Sequence, residues 1–150
     1  MTDPQLMLDL HRHFNAPRDV VYQAFTDEDQ LAVWFGPIGV SALRETVSVD
    51  AKVGGHRRLT VVSYNGLRSW SIDSTFSEVI ENKLLAGYEN LLGIPEFEDV
   101  DPFTFSIEFV DEGGGTRIEW CGGPYSPEAE VIAREGILQS FTKLDALLAG

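Results

Sequence analysis

Residues 6–14 alternate between apolar and polar side chains: Leu6, Leu8, Leu10 and Phe14 share one face, with Arg12 among them. This period of two predicts a half-buried strand. Pro17 then opens a helix, because its fixed φ suits a first helical turn, and Val20, Val21, Ala24 and Phe25 form its apolar stripe. A second short helix runs from Asp27 to about Phe35, carries Leu31, Trp34 and Phe35, and is stopped by Gly36-Pro37. From about residue 41 the period returns to two: Leu43, Val47 and Val49 alternate with polar residues, and Gly54-Gly55 turns the chain. Residues 56–64 predict a strand ending at Asn65-Gly66, a strong hairpin signal. Further strands follow with Trp70, Ile72 and Phe76 on one face, then over 83–89. Phe103, Phe105, Ile107 and Phe109 alternate next, a turn covers 111–115, and the strand over 116–121 puts Ile118 and Trp120 together.

The last element is a long helix. Ser126 is its expected N-cap, Pro127 its first residue, and Glu128 and Glu130 suit the positive end of its dipole. Val131, Ile137, Leu138, Phe141, Leu144 and Leu148 fall on one stripe, which also takes in Arg134. The order is strand, two short helices, about six antiparallel strands and one helix, which predicts an α+β meander whose curved sheet has one apolar face for that helix to cover.

Four stretches, in this order along the chain, resemble the START-like superfamily (SRPBCC, the helix-grip fold). More narrowly they resemble the activator of heat-shock-protein-90 ATPase homologue family. They are Arg12-His13-Phe14-Asn15-Ala16-Pro17, Leu31-Ala32-Val33-Trp34-Phe35-Gly36-Pro37, Val49-Asp50-Ala51-Lys52-Val53-Gly54-Gly55, and Gly114-Gly115-Thr116-Arg117 with the later Glu135-Gly136. Ile137 departs from the Trp that the family often places after the helix glycine, and the acidic stretch up to Asp101 aligns poorly. The resemblance implies a helix-grip fold: a curved antiparallel sheet of about seven strands wrapped around a long C-terminal helix, with two short helices after the first strand. It also implies an apolar cavity between sheet and helix. It fixes no ligand, because one fold hosts many functions.

The chain has 150 residues, the size of one domain, and residues 1–150 are read as a single START-like ligand-binding domain. Asp plus Glu total 24 against 11 Lys plus Arg, for a net charge of −13. Such a surface is repelled by nucleic-acid phosphates and by anionic leaflets, and no apolar run approaches the length needed to cross a bilayer, so neither nucleic-acid binding nor membrane insertion is expected. The lone Cys121 excludes an internal disulfide and fits a reducing compartment. Met1-Thr2-Asp3-Pro4 shows no signal-peptide pattern, and a cytoplasmic protein is expected, as a monomer or homodimer.

No nucleophile elbow, zincin motif or phosphate-cradling loop is present, and no cofactor is implied. His11 and His13 share a face without the further ligands a metal needs, so solvent exposure is the plainer reading. Cys121 lacks a recognisable base and reads as a structural thiol. By alternation Arg12 and Glu45 each fall on an apolar strand face, where a charge must be paired. Either they pair with each other or with another group, or they line a cavity and meet a polar ligand end, or the register is misread or the strand ends are exposed. Trp34, Phe35, Trp70, Phe76, Phe105, Trp120, Ile137 and Phe141 are the expected cavity lining, since one helix on a curved sheet leaves space. Gly136, which costs about 1 kcal/mol against Ala in a helix, marks either close packing, the plainer cause, or room kept open. Three functions stand: a non-catalytic carrier of a small, largely apolar molecule, favoured because no catalytic constellation emerges; an enzyme, cyclase- or hydrolase-like, using cavity Arg, Glu or Tyr; and a regulator with a chaperone partner.

Overall fold

The computed structural model describes residues 5–94 and 102–150. The N-terminal tetrapeptide and most of the acidic stretch that aligns poorly lie outside the described residues. β1 (Leu6–Phe14) buries Leu8, Leu10 and Phe14 and exposes Asp9, His11 and His13, as its alternation requires. Pro17, in extended backbone, precedes α1 (Arg18–Thr26). The buried face of α1 is Val21, Tyr22, Ala24 and Phe25; Val20 faces outward, so the apolar stripe includes Tyr22 in its place. Asp27 is extended and accepts the Gln30 N–H at 2.9 Å, which separates α1 from α2 (Glu28–Trp34) and caps the latter.

The strands that follow are β2 (Val40–Ala42), β3 (Ser48–Val49), β4 (His56–Ser63), β5 (Ser69–Ile80), β6 (Leu84–Leu92), β7 (Phe103–Glu112) and β8 (Gly115–Tyr125). They form one antiparallel sheet in the order β1-β8-β7-β6-β5-β4-β2, with β3 also on β4. The sheet curls around α3 (Pro127–Ala149), the helix-grip arrangement. Gly113 and Gly114, with φ of 56° and 84°, make the β7–β8 turn, so Asp111 and Glu112 stay in the strand. Opposite Phe76, where the β5–β6 register shifts, a Cβ on Gly87 would lie 1.9 Å from the Thr75 carbonyl oxygen; only glycine permits that approach.

One expected strand is broken. Between β2 and β3 lies a 3-10 turn (Arg44–Thr46) in place of continuous alternation from Leu43 to Val49. The Thr46 hydroxyl donates to the Leu43 carbonyl at 2.6 Å and accepts the Thr60 N–H at 2.9 Å, so a side chain takes a bond that a strand ladder would supply. Glu45 consequently sits exposed on the turn, not on an inward strand face.

The core fills the space between the concave sheet and the helices. Phe25 packs edge-on against Phe109 at 5.2 Å and tilted against Trp34 at 4.8 Å, while Phe14 meets Phe141 of α3 edge-on at 5.1 Å. The Trp34 indole N–H donates to the Ala24 carbonyl at 2.8 Å, satisfying its one buried polar atom. In α3 the Ser126 hydroxyl accepts the Ala129 N–H at 3.2 Å, the expected cap. Ser140, Phe141 and Leu144 are buried, but Val131 and Leu138 are 50% and 43% exposed. Those two, expected on the buried stripe, lie instead beside the face that α3 turns to the sheet, which runs through Ala129, Ala133, Ile137, Phe141 and Leu144. Arg134 is likewise half-exposed and pairs with Glu130 one turn earlier at 2.7 Å.

Candidate functional site

A cavity lies between the sheet and α3. Its volume is about 140 Å³, and its wall is predominantly apolar. The end of α2 supplies Trp34 and Phe35, β5 supplies Trp70, β8 supplies Trp120, and α3 supplies Ile137 and Phe141. The expected pair Phe76 and Phe105 lies outside this wall. Their rings pack 6.1 Å apart, behind it, because alternation fixes which face a side chain takes but not how far along the sheet the open space extends. Gly136 is on the wall, and a Cβ there would find nothing within 4 Å apart from its own turn of helix. Room kept open, and not close packing, is therefore what this glycine provides.

Arg12 and Glu45 are not brought together. Arg12 does project inward from β1, but its guanidinium forms two hydrogen bonds to Asp145 of α3, and Glu45 is on the exposed turn; neither lines the cavity. The polar end of the cavity is built instead from Arg57 and Glu89, which sequence reading missed. Arg57 on β4 is in register with Ser74 on β5, and Ser74 is in register with Glu89 on β6, so the three form one cross-strand row. Arg57 Nη2 donates to Glu89 Oε2 at 3.1 Å and reaches Ser74 Oγ at 3.5 Å; the Ser74 hydroxyl donates to the same Glu89 oxygen at 2.8 Å. The guanidinium lies 5.5 Å from the Phe35 ring and 5.6 Å from the Phe105 ring. Burial pulls the Arg57 guanidinium below its ordinary value while the Glu89 charge and hydrogen bond push back; an arginine starts so far above neutrality that it stays a cation.

The missed signal was available. Arg57 shares strand parity with Leu59 and Val61, and Glu89 shares it with Leu85 and Leu91. Opposite charges on the apolar parity of two strands mark a buried pair. At the same end of the cavity, burial followed by the charges of Glu89 and Glu130 pushes the Tyr125 phenol upward, so it is neutral.

The other chemistry-bearing residues stay apart. His13 Nδ1 is 2.9 Å from Glu112 and its Nε2 is 3.1 Å from Asn15, on the outer face. Among the described residues no three His, Cys, Asp or Glu side chains converge as metal ligands. The Cys121 thiol donates to Asp9 at 3.5 Å, and burial and nearby carboxylates push it up, away from a reactive thiolate. No described helix is long and apolar enough to cross a membrane.

Residues 15–149 match the family model described as Activator of Hsp90 ATPase homolog 1-like protein. Among solved structures, a Chromobacterium violaceum protein superposes with a TM-score of 0.81 at 22% identity, covering 97% of this chain and 99% of that one. The AHSA1 protein of Silicibacter pomeroyi gives 0.82 at 18% identity over 96% and 98%. An AHSA1-like protein from Aeromonas hydrophila gives 0.74 at 18% over 95% and 94%. At these identities the likeness is one of fold. No curated protein matches the sequence.

Proposed function

Starting from the fact that the chain belongs to the Activator of Hsp90 ATPase homolog 1-like family, we propose that it is a non-catalytic binding protein for a small, largely apolar molecule held between the sheet and α3. The observation that carries this reading is the cavity itself, walled by three tryptophans and two phenylalanines beneath a helix that spans it and does not fill it. A cavity of about 140 Å³ compares with the roughly 150 Å³ that accepts a benzene-sized guest in an apolar interior. Single-ring molecules therefore set the size class. The wall offers aromatic faces for such a ring, and its charged pair, Arg57 and Glu89, lies together on β4 and β6.

An enzyme would need reacting groups that are free to act. The convergence of Arg12, Glu45 and a Tyr that would favour catalysis is not assembled, and Glu89, the one carboxylate on the cavity wall among the described residues, is occupied by Arg57 and Ser74. The reducing, cytoplasmic setting expected from the single cysteine fits a small-molecule carrier.

Native mass spectrometry of the protein purified from its own cells tests the reading. A stoichiometric co-purifying organic molecule, released on unfolding, is the expected result. Fluorescence titration with single-ring compounds adds a second measure, because Trp34, Trp70 and Trp120 all face the cavity. A protein that carries nothing and shows no saturable fluorescence change with any compound of that size overturns it.

A further inference from the structure

We infer that the cavity selects apolar molecules bearing a neutral oxygen acceptor, such as a ketone, lactone or ether, which docks on Arg57. This rests on the reading of the cavity as a ligand site and names the class of ligand. Arg57 is 2% exposed, and its Nε and Nη1 have no hydrogen-bond partner among the described residues. Buried donors without partners are rare because each forfeits the hydrogen bond it had in water. Arg57 lies on the cavity wall, so a molecule inside lies against its side chain. A guanidinium only donates, and what completes it must accept.

The neighbouring carboxylate decides between a neutral and an anionic acceptor. Glu89 is 3.1 Å from Arg57 and also lines the cavity, so the site is already a balanced ion pair. An anion would bring a third charge out of water, leave the group net negative and face Glu89. A neutral oxygen completes the donors without that cost. Phe35 and Phe105 lie 5.5 and 5.6 Å from the guanidinium carbon, and Glu89 and Ser74 engage Nη2, so the group has neighbours on several sides before a ligand arrives.

Three single-ring probes of nearly one shape test this: ethylbenzene has no acceptor, acetophenone a neutral one and benzoate an anionic one. Without a contact to Arg57, the more hydrophobic ethylbenzene binds tightest. The proposal expects acetophenone to bind at least about tenfold tighter than ethylbenzene, and tighter than benzoate. The Arg57 Nε–H resonance in a ¹H–¹⁵N spectrum should move with acetophenone and stay with ethylbenzene. Ethylbenzene equal to or tighter than acetophenone overturns the acceptor site and leaves the cavity reading standing. Benzoate as the tightest probe overturns the neutral class. No binding by any of the three overturns the cavity reading and the inference with it. Arg57→Leu combined with Glu89→Leu leaves no lone buried charge and should abolish the ketone preference; a preference that survives in the folded double variant overturns the role of Arg57. If that variant does not fold, the Nε–H resonance of the unaltered protein decides.

Discussion

Arg12 and Asp145, 133 residues apart, join the first strand to the last helix by two parallel hydrogen bonds, one of 2.8 Å from Nη1 to Oδ1. The guanidinium also lies 4.7 Å from the Phe14 ring, whose other neighbour is Phe141 of α3. The pair therefore marks where the C-terminal half of the helix is held down. Its side chains are 32% and 42% exposed, and water screens such pairs to about 0.2–1 kcal/mol. A double-mutant cycle of Arg12→Met and Asp145→Asn should return a coupling in that range from chemical unfolding. A coupling several times larger would mean that the pair behaves as a buried one.

Arg57 and Glu89 are the contrasting case, nearly the same chemistry placed out of water. Glu89→Leu alone leaves an uncompensated buried cation and should cost about 3–5 kcal/mol, whereas Arg57→Leu with Glu89→Leu should cost much less. Urea unfolding of the two single variants and the double variant reads both. Equal losses in single and double variants would show that the charges do not depend on each other.

What the sequence reveals here divides by range. The alternation of β1, β7 and β8 and the Pro17, Asn65-Gly66 and Ser126 signals are local, and the elements they predict are present. The broken strand at Arg44–Thr46 was not legible, because it depends on Thr46 finding Thr60 on another strand. The partner of Arg12 was missed for the same reason, since nothing near β1 names Asp145. Six of the expected lining residues, Trp34, Phe35, Trp70, Trp120, Ile137 and Phe141, do meet at one cavity. The row Arg57–Ser74–Glu89 required the register of three strands, although the parity of each charge was visible in its own strand.

Acid sensitivity should come partly from the outer face. Hydrogen bonds from Arg117 and His13 hold the Glu112 carboxyl below its ordinary value of 4.5. The native protein thus keeps this group ionised to lower pH than the unfolded chain does. The stability it contributes is complete above the ordinary value and disappears as pH falls through the native one. Melting temperature followed from neutral pH into acid should fall less steeply below about pH 4.5 in Glu112→Gln than in the parent, and added salt should shrink the difference because the site is exposed. Identical acid limbs would place the acid-labile groups elsewhere.

Gly136 separates stability from binding. It lies in the middle of α3, where glycine costs about 1 kcal/mol relative to alanine. Apart from its own turn of helix, nothing lies within 4 Å of where its Cβ would be, so no packing demand explains it. Gly136→Ala should therefore raise stability by up to about 1 kcal/mol, because the methyl group enters open space on the cavity wall. Gly136→Leu should keep much of the helical gain while its larger side chain occupies the volume a ligand needs. The expected pattern is a melting temperature at or above the parent's for both variants, with acetophenone binding reduced in the first and abolished in the second. Unfolding experiments and the fluorescence titration together measure it. If Gly136→Leu melts normally and still binds acetophenone with the parent's affinity, the ligand does not sit beneath this turn of the helix. If Gly136→Ala is instead destabilised, the helix must approach the sheet more closely than this cavity allows.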